Sequence, residues 1–144
     1  MEKRMNLFET EPEGYKMMLA LEKYLAGTQL TPIHKELIKM RASQINGCAF
    51  CLDMHTRDAK KIGEQDKRIF TLSAWRDTPY FAPEEQAILA LTEEVTLINN
   101  HVSDATYKNA VDLLGEKYVA QAIMAIITIN GWNRIAITTE MQPA

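Results

Sequence analysis

Apolar positions along the chain recur at the three- to four-residue spacing of helices, and no segment shows sustained alternation with a period of two. Gly, Pro and Asn breaks divide the chain into pieces of roughly 10–20 residues, the length of ordinary helices. The pattern predicts a single-domain, all-α protein with about seven helices. They are expected at residues 13–26, 31–46, 48–63, about 64–75, from Pro83, after the cap Ser103, and at 116–138.

The last predicted helix, residues 116–138, is apolar on nearly all sides. A helix of this kind is expected to be the central buried helix or the seam of an oligomer. The run Ile126-Ile127-Thr128-Ile129 also has β propensity, so a short strand is the alternative there. An all-α fold remains the better interpretation of the whole chain.

Composition narrows the class of protein. The 144 residues suit one domain covering 1–144, and 47% hydrophobic with 24% charged residues is typical of a globular protein. The net charge is −3 and no Lys/Arg cluster is present, so a nucleic-acid partner is not expected. The longest apolar stretch, residues 118–129, falls short of the ~20 residues of a membrane span. With a charged amino end, we expect a cytoplasmic protein with no membrane partner.

Both cysteines of the chain, Cys48 and Cys51, lie three positions apart. A secreted disulfide scaffold carries more cysteines, spread so that they join distant segments. Two close cysteines in a cytosolic chain indicate a redox pair or part of a metal site.

The two cysteines and His55 share one face of the third predicted helix with aliphatic residues, at 100° per residue. Cys48 directly follows an Asn-Gly break, so it lies at the helix N-terminus, where negative charge is favoured. His55 is one turn beyond Cys51 and could take the proton of its thiol. Such residues can also simply pack in a core. The three together, at a helix start, favour redox chemistry.

Glu36 lies at the edge of the apolar face of the preceding helix, one turn from Ile33 and Met40. A carboxylate close to buried positions requires a partner. The pattern alone favours a solvated Glu36 paired with Lys39 or Arg41 over a role in proton transfer.

The spacing Glu36-x11-Cys48-x2-Cys51-x3-His55 resembles the core motif of the alkylhydroperoxidase D branch of the carboxymuconolactone decarboxylase-like superfamily. The likeness extends over roughly residues 30–140. The flanking segments that are similar to small members of this branch are Arg41-Ala-Ser-Gln-Ile-Asn-Gly-Cys, Met54-His-Thr-Arg-Asp-Ala, Pro79-Tyr-Phe-Ala-Pro-Glu-Glu and Ile129-Asn-Gly-Trp-Asn-Arg-Ile-Ala.

The resemblance implies an all-helical homo-oligomer that reduces hydroperoxides through a thiol–disulfide cycle, without a cofactor. Glu36 would hold and polarise His55, directly or through water. His55 would help to deprotonate Cys51, which attacks the peroxide and becomes a sulfenic acid. Cys48 would donate a proton, condense with the sulfenic acid and meet the external reductant, a thiol or a protein disulfide reductant.

Two observations qualify this picture. The best-known member of the branch has a second His between its cysteines, where this chain has Phe50, so its rate and its partner system do not transfer directly. The helix dipole should favour thiolate most at Cys48, which would make that residue the nucleophile. We keep the roles that the resemblance implies because His55 is nearer to Cys51.

Three alternatives of other classes stay open. Cys48, Cys51 and His55, with Glu36 as a fourth ligand, have the ligand types of a zinc site, although three of them crowd into eight residues. A carboxymuconolactone decarboxylase-type lyase is the second, but that branch works without this cysteine pair. A non-enzymatic oligomeric scaffold is the third. Polar residues near the end of the last helix could line the site or a subunit interface: Asn130, Trp132, Asn133 and Arg134.

Overall fold

The computed structural model describes residues 3–144, and in that range it contains helices and no strand. The all-α prediction is therefore confirmed, with eight α-helices where about seven were expected. The α-helices are α1 (Leu7–Thr10), α2 (Pro12–Ala26), α3 (Pro32–Asn46), α4 (Ala49–Lys61), α5 (Asp66–Phe70), α6 (Pro83–Thr96), α7 (Asp104–Leu114) and α8 (Glu116–Thr138). Two short 3-10 segments lie at Leu72–Asp77 and Ile98–Asn100.

The predicted helix at about 64–75 is wrong as a single element. It is divided into α5 and the 3-10 segment Leu72–Asp77, in which Ala74 has non-helical dihedral angles. Ile69, Leu72 and Trp75 are buried at intervals of three residues. A 3-10 helix has three residues per turn, so residues three positions apart lie on the same face. In an α-helix the same residues would be spread around the helix axis.

The start of α3 follows the local signals of the sequence. The side chain of Thr31 accepts a hydrogen bond from the backbone N–H of His34, and Pro32 occupies the first helical position, where its missing N–H is not needed. Ser103 caps α7 in the same way, accepting from the N–H of Thr106. These boundaries confirm the predicted helix starts.

The longest helix, α8, coincides with the predicted 116–138, so the alternative of a strand at 126–129 is wrong. It packs against α2, α3, α6 and α7 and buries Ala122, Ala125, Ile126 and Ile129. Of the two roles expected for this helix, that of the central buried helix is confirmed. None of the helices in residues 3–144 combines the length and apolar character needed to cross a bilayer.

A buried hydrogen-bond cluster, which we call the amide clamp, joins the C-terminal end of α3 to α8. The side chain of Asn46 donates to the side-chain oxygens of Asn130 and Asn133, each at 2.9 Å. Asn133 in turn donates to the hydroxyl of Ser43 at 3.0 Å and is fully buried. The clamp therefore fixes the last turn of α3 immediately before the chain reaches the cysteines.

Removing the centre of the amide clamp should destabilise the fold. In Asn133→Ala, the buried polar groups of Ser43 and Asn46 lose a partner, so we expect the free energy of unfolding to fall by about 2 kcal/mol. Urea denaturation at a fixed protein concentration measures this change. The matched control is Asn109→Ala on the exposed surface of α7, where alanine favours the helix. Equal stability of the two variants would contradict a structural role for the clamp.

Candidate active site

The turn between α3 and α4 places both cysteines. Gly47 adopts the left-handed conformation (φ 72°, ψ 37°), which side-chain-bearing residues rarely adopt. The N–H groups of Gly47 and Cys48 both donate to the carbonyl of Ser43, at 2.9 and 3.0 Å. This Schellman-like end of α3 reverses the chain and makes Cys48 the N-cap residue of α4.

Cys48 and Cys51 form a disulfide, with a Cα–Cα distance of 5.3 Å. The backbone N–H of Cys51 also donates to the sulfur of Cys48. The predicted arrangement, two cysteines at one helix start and near enough to bridge, is confirmed. Both are buried, with 1% and 2% of their surface exposed, beside Phe50 and Ala136.

Glu36 and His55 face each other across the α3–α4 pair. The distance between Oε2 of Glu36 and Nδ1 of His55 is 3.5 Å, and their side chains are only 13% and 10% exposed. Within the described range 3–144, neither atom has a hydrogen-bond partner. The expectation that Glu36 is solvated is wrong, because its side chain is largely buried. The expected pairing with Lys39 is found: Oε1 of Glu36 lies 3.9 Å from Nζ of Lys39.

Asp58 is a neighbour of this pair that sequence reasoning missed. Its Oδ2 lies 3.9 Å from Nδ1 of His55, one helical turn earlier in α4. The helical spacing of three residues between His55 and Asp58 was a signal that could have identified it. Nδ1 of His55 therefore has carboxylate oxygens of two different helices within 4 Å.

A pocket of about 380 Å³ opens onto the redox pair between α2, α4 and α8. Cys51 and His55 line it, and Cys48 does not. Its wall is mostly apolar, with a few polar side chains, as is usual for sites that bind small molecules. The apolar residues that form most of the wall are Tyr15, Leu19, Phe50, Met54, Trp132 and Ile135.

The side of the pocket formed by α2 was not predicted. Tyr15 packs edge-on against Trp132, with ring centroids 5.3 Å apart, and Glu22 accepts a hydrogen bond from the indole N–H of Trp132 at 3.0 Å. Of the polar residues noted near the end of α8, only Trp132 lines the pocket, whereas Asn130 and Asn133 belong to the amide clamp. No local motif in α2 signals its position over the cysteines.

Carboxylates with a lowered pKa lie on α6, outside this pocket. Burial alone would raise the pKa of Glu93, but hydrogen bonds from Arg76, Arg41 and Trp75 outweigh it and lower the pKa. The pKa of Glu85 is also lowered, because its hydrogen bonds from Arg68 and from the backbone N–H of Ala82 outweigh the effect of its burial. These pairs are part of the packing between α6 and its neighbours and are separate from the redox pair.

A zinc site made of the two thiols and His55 is not formed in this oxidised structure, because a disulfide offers no thiolate. The residues that do group together as metal-ligand types are Glu36, His55 and Asp58, with ligand atoms within 4.8 Å of one another.

Comparison with known proteins supports the family that the Glu-Cys-Cys-His motif resembles. The model of the carboxymuconolactone decarboxylase family matches residues 12–94. An uncharacterized protein of Bacillus subtilis (strain 168), YdfG, is 44% identical over 138 residues, which cover 95% of this chain and 94% of the relative.

Solved structures extend the likeness to the whole chain. A protein of unknown function from Agrobacterium tumefaciens, described as a candidate antioxidant defence protein AhpD, superposes with a TM-score of 0.95 at 34% identity, covering 99% of both chains. The debrominase Bmp8 shares the fold, with a TM-score of 0.85 at 16% identity over 95% of this chain and 74% of that one. The chain therefore belongs to the carboxymuconolactone decarboxylase family, as an alkylhydroperoxidase D-like protein.

Proposed function

We propose that this protein is a thiol-dependent peroxidase and disulfide oxidoreductase that reduces hydroperoxides through Cys48 and Cys51. The observation that carries the proposal is the position of Cys51. It lines an apolar pocket beside His55, has its disulfide partner directly behind it, and lies next to a buried carboxylate–imidazole pair. A peroxide entering the pocket would meet this sulfur and the base together.

In the first step the thiolate of Cys51 attacks the terminal oxygen of ROOH and the O–O bond breaks. Cys51 becomes a sulfenic acid, and the alkoxide that leaves takes up a proton to form ROH. The imidazole of His55 first accepts the thiol proton of Cys51 and then returns it to the leaving group. Two electrons pass from the sulfur to the peroxide.

In the second step the thiol of Cys48 attacks the sulfenic sulfur of Cys51, forming the disulfide and releasing water. A thiol or protein disulfide reductant then restores both thiols, so that ROOH and two reductant thiols give ROH, water and one disulfide. We expected Cys48 to meet this reductant, but only Cys51 lines the pocket. Attack on Cys51 would release Cys48 as a thiolate at the N-terminus of α4, where negative charge is stabilised.

Glu36 supports the base in this scheme, and we call the two residues the Glu36–His55 relay. With Nδ1–H of His55 held toward Glu36, Nε2 is the nitrogen left to exchange a proton with Cys51. The carboxylate also stabilises the imidazolium that forms while the thiolate is present. Glu36 is thus proposed as a positioning residue, and His55 as the acid–base catalyst.

The family also includes decarboxylases, so the lyase reaction is the main competitor within it. A decarboxylation needs no change in the oxidation state of two cysteines. The disulfide at the pocket wall favours the redox reaction.

We also propose that the protein is a homo-oligomer. Large apolar side chains are exposed in the single chain, among them Phe70 at 78% and Met17 at 63%. Exposed apolar surface of this kind is commonly covered by a partner. Light scattering across a range of concentrations should give a mass that is a multiple of 16.4 kDa. A monomer at every concentration would contradict the oligomer and leave the chemistry intact, because all the site residues come from one chain.

The two cysteines should behave differently when substituted. In Cys48→Ser, peroxide should leave a sulfenic acid on Cys51 that dimedone traps, because the resolving thiol is gone. Cys51→Ser should consume no peroxide. Mass spectrometry of the dimedone-treated variants gives the result. A dimedone adduct on Cys48 in the Cys51→Ser protein would reverse the assigned roles.

Loss of the base should slow thiol oxidation more than loss of its supporting carboxylate. We expect His55→Ala to lower the rate constant by roughly 100-fold. Glu36→Gln keeps the shape and removes the charge, so its effect should be smaller. Stopped-flow oxidation of the reduced protein measures both. The control is His101→Gly: His101 is exposed, does not line the pocket, and has backbone angles (φ 63°, ψ 173°) that glycine adopts readily. An unchanged rate in His55→Ala would rule out the relay.

A further inference from the structure

We propose that the oxidised protein binds a zinc ion between α3 and α4. The ligands are Oε2 of Glu36, Nδ1 of His55 and Oδ2 of Asp58, which lie within 4.8 Å of one another. This site differs from a thiolate site, since both sulfurs are already joined in the disulfide.

The donor set suits zinc in type and in spacing. Zinc binds one imidazole nitrogen and carboxylate oxygens at about 2.0–2.2 Å, so tetrahedral ligands lie about 3.3–3.6 Å apart. Nδ1 of His55 is 3.5 Å from Glu36 and 3.9 Å from Asp58. A small rotation of the partly exposed Asp58 would bring all three into range. A fourth position would remain for water.

Two of the ligand atoms are buried without a partner. Nδ1 of His55, on a side chain that is nine-tenths buried, and Oε2 of Glu36 have no hydrogen bond among residues 3–144. Their separation exceeds the usual range for an N–H···O bond. Buried polar atoms are nearly always satisfied, so this pair calls for a bound species between its members. A cation would satisfy both atoms at once.

The charge around the pocket favours a cation. Among the described residues that line the pocket or contact one another there, Glu22, Glu36 and Asp58 contribute three carboxylates and Lys39 contributes one ammonium. Lys39 contacts Glu22 at 3.7 Å and the Oε1 atom of Glu36 at 3.9 Å, which leaves Oε2 toward His55. Because His55 and Asp58 line the pocket, an ion can reach them from solvent.

Binding here would couple metal to the redox site. The ion would occupy Nδ1 of His55 and Oε2 of Glu36, the same atoms that pair in the proposed relay. This consequence rests on the proposed function, whereas the binding itself does not. The site can therefore be tested on oxidised protein, without peroxide and without turnover.

The test is isothermal titration of Zn²⁺ into untagged, full-length protein that has been oxidised and freed of metal. We expect one ion per chain and a higher melting temperature when zinc is present, because the ligand binds the folded state. Asp58→Asn and Glu36→Gln should each weaken binding by roughly tenfold or more, since even the loss of a group that only orients a ligand costs that much.

The matched control is Asp53→Asn. Asp53 lies on the same helix with similar exposure, paired with Arg57 and outside the proposed ligand set, so its loss should leave zinc affinity unchanged. Absence of binding, or binding equally tight in Asp58→Asn and Asp53→Asn, would overturn the proposal. If Glu36→Gln does not fold by circular dichroism, the comparison of the two Asp variants decides alone. Failure of the peroxidase assay would not affect this result.

Discussion

The way α3 ends determines the rest of the site. Its last turn is held to α8 by the amide clamp, and Gly47 then reverses the chain so that α4 begins at the cysteines. α3 also carries Glu36, so the same rigid element supplies the carboxylate and the turn that positions the disulfide. Because buried amides must be satisfied, the clamp ties the geometry of the redox pair to the stability of the core. A change in the clamp would therefore reach the site through the backbone.

Most of the fold follows from signals that act locally. Thr31 and Ser103 satisfy free N–H groups at helix starts, and an apolar segment such as residues 116–138 has no stable place except the interior. The predicted helices were wrong where tertiary packing overrides these local signals. The segment at 64–75 has helical composition, but burying Leu72 and Trp75 on one face requires the 3-10 geometry. α1 spans one turn, too short for any periodicity to appear.

The redox pair could be located from sequence because its members are neighbours along the chain, and the family motif added Glu36. The pocket could not be located, since its walls come from α2 and α8, far from the motif. The contact between Tyr15 and Trp132 joins residues separated by most of the chain. The burial of Glu36 was also not predicted. Helical periodicity places this residue at the edge of the apolar face of α3, and its contact with His55 arises from the packing of α4 against α3.

Oε2 of Glu36 and Nδ1 of His55 are buried, and no hydrogen bond from residues 3–144 offsets the cost of burying them. An unsatisfied buried polar group destabilises a protein by about 1–3 kcal/mol, so a sequence selected for stability alone would replace it with apolar residues. Both residues of the pair lie close to the cysteines. Glu36 is on α3, which ends immediately before Cys48, and His55 lies one helical turn past Cys51. The proposed proton relay and the proposed cation site need the same feature: polar atoms without hydrogen-bond partners beside an open pocket. Under both proposals, the state of the disulfide would decide which chemistry is available, because only free thiols exchange protons with the imidazole.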